Sequence, residues 1–154
     1  MNNIKKGNAL KTSFQVVAHQ VNAQGKMGAG IAKSIKEKYP DVFDEYAELC
    51  EYSSVDELMG MCLLSEEQYD GKFVANLFGQ ASYGIHERQT DYKSLHSALY
   101  GLRMEMEEQG LITLTFPYMI GCGLAGGNVE VVLSLIEDIF DNSDIIYNFY
   151  DYNN

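Results

Sequence analysis

The chain has 154 residues, 46% of them apolar, and a formal net charge of −11 at pH 7. That length suits one domain, 1–154, able to bury roughly two-thirds of its unfolded surface, and the composition excludes a disordered chain. The acidity argues against non-specific attraction to nucleic acid or anionic membrane, although local N–H donors can still hold an anionic small ligand.

Three cysteines, Cys50, Cys62 and Cys122, form neither a CxxC pair nor a zinc pattern, which suits a reducing compartment. The opening MNNIKKGNAL lacks the apolar centre of a signal peptide, and no run approaches the ~20 apolar residues of a membrane span. The expectation is a cytoplasmic protein.

In chain order, Asn3 to Lys6 predicts a short strand ended by Gly7-Asn8. Phe14 to Val21 is an apolar run that predicts a buried strand, followed by the loop Asn22-Ala23-Gln24-Gly25-Lys26. From about Met27 to Lys38 a helix is expected, with Ile31, Ala32 and Ile35 at helical spacing. Tyr39-Pro40-Asp41 stops it, and Asp41 to Glu51 has the spacing of a second helix. Ser53 to Glu57 is a loop or a single helical turn. Met61–Leu64 and Lys72–Phe78, around the turn Gln68-Tyr69-Asp70-Gly71, predict a β-hairpin.

Gly79 to Thr90 is a polar loop, and Asp91 to Gln109 the longest helix, with Leu95, Leu99, Leu102 and Met106 on one face and Gly110 at its end. Leu111 to Phe116 predicts a buried strand, Pro117 to Gly127 a second glycine-rich loop, Asn128 to Phe140 a helix and Asp144 to Tyr150 a last strand. Strands alternating with helices predict a helix–sheet–helix α/β layering.

Two glycine-rich turns, each after a buried strand and before a helix, suggest a diphosphate held between two N–H-lined walls. Gly28 and Gly30 would let a pyrophosphate approach the backbone, but tight strand-to-helix turns need glycine on steric grounds as well, so the glycines alone leave both readings open. GxxxxGK[ST] is absent, and Gly25, Gly28 and Gly30 do not make GxGxxG.

The pieces AHQVNAQGKMGAGIA, NLFGQ, FPYMIGCGLAGG and the terminal NFY occur in an order that resembles a macrodomain over essentially the whole chain. The likeness is to the branch containing ADP-ribose 1″-phosphate phosphatases and terminal ADP-ribose–protein glycohydrolases. It implies a three-layer α/β/α fold with a central six-stranded mixed sheet and a cleft for ADP-ribose or ADP-ribose 1″-phosphate. No cofactor, metal, nucleic-acid groove or membrane contact is implied, and a monomer is expected.

The resemblance places adenine recognition at Asn8 and Ala9, where relatives carry an aspartate; the Asn8 amide oxygen can accept without charge assistance. It puts Tyr150 over the adenine, with Tyr152 nearby; an ordinary core aromatic is the alternative. Lys26, Met27, Gly28, Ala29 and Gly30 fall on the first phosphate-facing loop. Pro117, Ile120, Gly121, Cys122, Gly123, Leu124, Ala125 and Gly126 fall on the second, which wraps the diphosphate and distal ribose. Gln20, Asn22 and Gln80 are also expected at the ligand, with Asn22 and Gln24 able to hold the ribose hydroxyls or a water.

The glycohydrolase branch uses a lysine and an aspartate where this chain has Gln80 and Ala125, so the resemblance disfavours that route. It leaves Asn22, Gln24 and His19 as the residues expected to orient water or move a proton, His19 equally as a hydrogen-bonded core residue. His86 and Arg88 are expected in solvent, where either could reach a 1″-phosphate, and Cys122 as a small packed side chain.

Overall fold

A computed structural model describes residues 3–84, 86–123 and 125–152. Six strands form one sheet in the order β1-β6-β5-β2-β4-β3. They are β1 (Ile4–Lys6), β2 (Val16–Asn22), β3 (Cys62–Glu66), β4 (Phe73–Gln80), β5 (Thr113–Pro117) and β6 (Ile146–Asp151). Only β3 runs antiparallel to its neighbour, β4, so the sheet is mixed. The predicted hairpin is present, its turn closed by the Glu67 carboxylate accepting from the amides of Tyr69, Asp70 and Lys72.

Among the described residues the five α-helices are α1 (Gly30–Lys38), α2 (Pro40–Tyr52), α3 (Val55–Leu58), α4 (Tyr92–Gln109) and α5 (Val129–Phe140). Strand alternation sorts the core into two layers. Val16 and Ala18 of β2 join Leu95, Leu99 and Leu102 of α4 and Ile136 and Phe140 of α5 on one face. Val17 and Val21 join Ile35 of α1, Val42 and Tyr46 of α2 and Leu58 of α3 on the other. Both sheet faces are therefore covered, which is why β2 and β4 are buried almost throughout. Among the described residues no helix is long and apolar enough to cross a membrane.

Several predicted boundaries move: β3 ends at Glu66, β5 starts at Thr113 and β6 at Ile146. Strand β2 starts at Val16, because Phe14 N bonds to Thr12 Oγ1 and bends the chain first. Helix α1 starts at Gly30 instead of Met27: Gly30 has φ +59°, while Met27 is buried as an anchor of the preceding loop. A 3-10 turn over Ala9–Lys11 was not expected; Asn8 caps it, its Oδ1 accepting from Leu10 N at 2.9 Å.

Candidate functional site

A cleft of about 480 Å³ opens between the start of α1 and the loop after β5. Its position follows from the sheet: β2, β4, β5 and β6 are parallel, so their carboxyl ends reach the same side. One wall is Ala29, Gly30, Ile31, Ala32 and Ser34. Helix α1 has no side-chain cap at Ala29, no acidic residue in its first turn, and a first helical bond from Lys33 N to Ala29 O. The N–H groups of Gly30, Ile31 and Ala32 thus precede the helical ladder and form a positive helix end on the cleft.

The opposite wall is Pro117, Tyr118, Met119, Ile120, Gly121, Gly123 and Ala125. Gly121 and Gly126 adopt φ of +70° and +77°, conformations that require glycine here. Ala125 O accepts from both Gln89 N and Thr90 N, so this loop is tied to the segment before α4. One end of the cleft is made by Asn8, Ala9, Tyr150, Asp151 and Tyr152, the other by Gln20 and Gln80. Tyr150 packs on the α1–α2 core and also lines the cleft.

Several expected residues lie elsewhere. His19 is fully buried on the α1–α2 side of β2, its Nε2 paired with Asn76 Oδ1 at 2.8 Å, because odd positions of β2 face away from Gln20. Burial lowers its pKa to about 4 against the opposing hydrogen bond, so it is a neutral core imidazole and not a group at the cleft. Asn22 is also outside the lining and is engaged locally: its Nδ2 donates to Lys26 O and its Oδ1 accepts from Gln24 N and the Tyr46 hydroxyl. Gln24 turns outward to donate to Ala81 O. These three were the expected catalytic groups, and none of them is among the residues that line the cleft.

Lys26 and Gly28 are exposed beside the cleft and Met27 is buried beneath it, so none of the three is in the lining. Gly126 packs toward Arg88, and Cys122 turns toward the α4–α5 core, where burial raises its thiol pKa to about 11. Leu124 lies outside the described residues. Asn8, by contrast, does line the cleft, and its Oδ1 also makes the cap described above. Exposed His86 and Arg88 match expectation, although the Arg88 guanidinium stacks 4.5 Å from the Tyr92 ring.

Ile31, Ala32, Ser34, Tyr118, Met119 and Asp151 were not anticipated in the lining. Their signal was partly available: once a helix is taken to start at Gly30, its first turn must share the wall with Gly30. Tyr118 and Met119 simply bridge the two predicted ends of the second loop.

The chain resembles several known proteins. It is 35% identical over 94 residues to a Candida glabrata protein named ADP-ribose 1″-phosphate phosphatase, a match covering 56% of this chain and 52% of that one. The chain therefore spans about half the length of that relative. It is 27% identical over 133 residues to human ADP-ribose glycohydrolase OARD1, covering 84% and 76% of the two chains. Its fold superposes on the macrodomain of Mycobacterium tuberculosis DarG with a TM-score of 0.81 at 22% identity, over 98% and 99% of the chains. Since the family model described as Macro domain matches residues 18–136, from within β2 to within α5, this chain belongs to the Macro domain family.

Proposed function

We propose that the cleft binds ADP-ribose and that the chain is a hydrolase releasing phosphate from ADP-ribose 1″-phosphate. The observation that carries this reading is the neutral far end: Gln20, Gln80 and Ala125 line it, where the glycohydrolase branch is expected to have a lysine and an aspartate. The names of the Candida glabrata and human relatives support ADP-ribose as the ligand class. In this reading the diphosphate sits on the amides at the start of α1, where the helix end favours an anion. The adenine lies toward Tyr150, and the distal ribose toward Gln20.

Water attacks phosphorus, the P–O bond to the sugar breaks, and ADP-ribose and inorganic phosphate leave. Phosphoryl transfer of this kind passes through a loose transition state, so positioning and hydrogen-bond donors can supply most of the catalysis without a strong base. The Gln80 amide and the loop N–H groups are suited to that work. Cys122 is not a nucleophile in this scheme, since a thiol with a pKa of about 11 carries almost no thiolate at neutral pH. We take residues 1–154 to work as one cytoplasmic, monomeric domain without metal or cofactor.

The same neutral end favours a second reading, a non-catalytic ADP-ribose sensor; hydrolysis of another ADP-ribose conjugate is the remaining alternative. A phosphate-release assay on ADP-ribose 1″-phosphate, run beside calorimetry with ADP-ribose, separates them. The phosphatase reading expects both signals. Binding without phosphate release would leave the sensor, and absence of binding at millimolar ADP-ribose would remove both.

A further inference from the structure

The far end of the cleft holds a directed chain of side-chain hydrogen bonds. Gln20 Nε2 donates to Gln80 Oε1 at 2.8 Å and to Thr90 Oγ1 at 2.9 Å. Thr90 Oγ1 in turn donates to Gly121 O at 2.6 Å, and Gln80 Nε2 to Ser82 O at 2.7 Å. One amide thus connects the ends of β2 and β4, the segment before α4, and the second glycine loop.

The direction of this chain is forced. Gly121 O and Ser82 O can only accept, so Thr90 must donate to one and Gln80 to the other. Both then present an oxygen to Gln20, which must answer with its NH₂. Its Oε1 is left on the opposite side, buried, with no hydrogen-bond partner among the described residues. There it is wedged between glycines: a Cβ on Gly79 would collide with it, and one on Gly121 would stand 3.0 Å away. At Gly127 a Cβ would lie 2.5 Å from Gly121 O, so the loop closes on itself as tightly as on Gln20.

A buried, unanswered acceptor costs stability. Gln20 serves the two hydrogen bonds it donates, since an apolar side chain would leave Gln80 Oε1 and Thr90 Oγ1 without their donor.

We propose that Gln20 is a positioning residue. Its amide aligns Gln80 and, through Thr90, holds the loop at Gly121 against the cleft, so that turnover depends on it more than folding does. This rests on the ADP-ribose phosphatase reading of the same cleft.

The test compares Gln20→Met, Thr90→Val and Thr90→Ser, the last keeping the hydroxyl. Turnover and KM are measured with ADP-ribose 1″-phosphate, affinity with ADP-ribose, and hydrogen exchange of the Gln89, Thr90 and Gly127 amides without ligand. In Gln20→Met and Thr90→Val, kcat should fall roughly tenfold or more while ADP-ribose affinity changes less than about threefold, because misplacement acts on the reacting geometry. The three amides should exchange roughly tenfold faster while those of α4 do not change. Thr90→Ser should recover most of the turnover, and the double variant Gln20→Met/Thr90→Val should be no slower than Gln20→Met, since both cut one chain.

Unchanged exchange and turnover in both variants would overturn the proposal, as would parallel losses of affinity, turnover and melting temperature, which mark a merely structural side chain. If wild type releases no phosphate, the phosphatase reading fails separately; exchange then decides, faster loop amides supporting the positioning role and unchanged ones overturning it. Should Gln20→Met not fold, Thr90→Val carries the same readouts.

Discussion

Gly123 shows how much the function of one position depends on what surrounds it. It is exposed in the cleft wall, its φ lies outside the left-handed region, and a Cβ built on it meets nothing within 4 Å. Gly123→Glu should therefore fold while placing a carboxylate where the diphosphate is proposed to lie. ADP-ribose affinity is expected to drop by roughly 100-fold or more, about 3 kcal/mol. Calorimetry with a circular-dichroism control checks this, and retained affinity would reduce the loop to a structural turn. Gly127 differs entirely: the crowding against Gly121 O makes any side chain there a packing fault before it is a binding one.

At the scale of elements, the first loop is shaped from outside itself. Asn22 Oδ1 accepts from Gln24 N at 2.9 Å, and Tyr46 of α2 donates its hydroxyl to Asn22 O at 2.7 Å or Asn22 Oδ1 at 2.9 Å. The loop so held delivers Ala29 and Gly30 to the cleft. Tyr46→Phe is expected to cost about 1–2 kcal/mol in urea unfolding, the worth of one buried hydrogen bond and its abandoned partner. Asn22→Ala should cost more and should weaken ADP-ribose binding along with turnover, because the whole wall shifts. A calorimetric Kd unchanged in Asn22→Ala would mean that Met27 and Gly25 shape the loop without it.

For the molecule as a whole, the two-layer core places an ionisable ring at its centre. His19 is completely buried, with Nδ1 lacking a partner among the described residues and Nε2–H donating to Asn76 Oδ1, since Asn76 Nδ2 is spent on Leu63 O. Its pKa falls from 6.5 to about 4 on folding. Between those values the unfolded chain binds the proton and the folded one does not, so stability rises with pH across that window. The contribution is complete above pH 6.5 and is lost as pH falls toward 4, on the order of 3 kcal/mol at most. His19→Gln should remove that slope while leaving the carboxylate-driven part. Denaturant unfolding of both proteins at pH 7 and pH 5 reads the difference, and equal slopes would show that the ring is not desolvated as the structure has it.

The residues alone determined the order of strands and helices, the hairpin, and the presence of two glycine turns after buried strands. These are local signals: alternation, helical spacing, turn chemistry and caps act within a few residues. The family resemblance came from the same short stretches, and it located both walls and both ends of the cleft. Which side chains face that cleft was decided by tertiary structure. Phase along β2 sends Gln20 to the cleft and His19 into the core, and both are polar residues in an apolar run, so composition did not separate them. Their partners lie far away in the chain: Asn76 is 57 residues from His19, Tyr46 is 24 from Asn22, and Thr90 is 70 from Gln20. A hydrogen-bonding side chain has several possible partners, and only the packing of remote elements selects one. Asn22 and Gln20 thus received opposite duties from the same amide chemistry, one holding a loop from beneath and the other closing the end of the cleft.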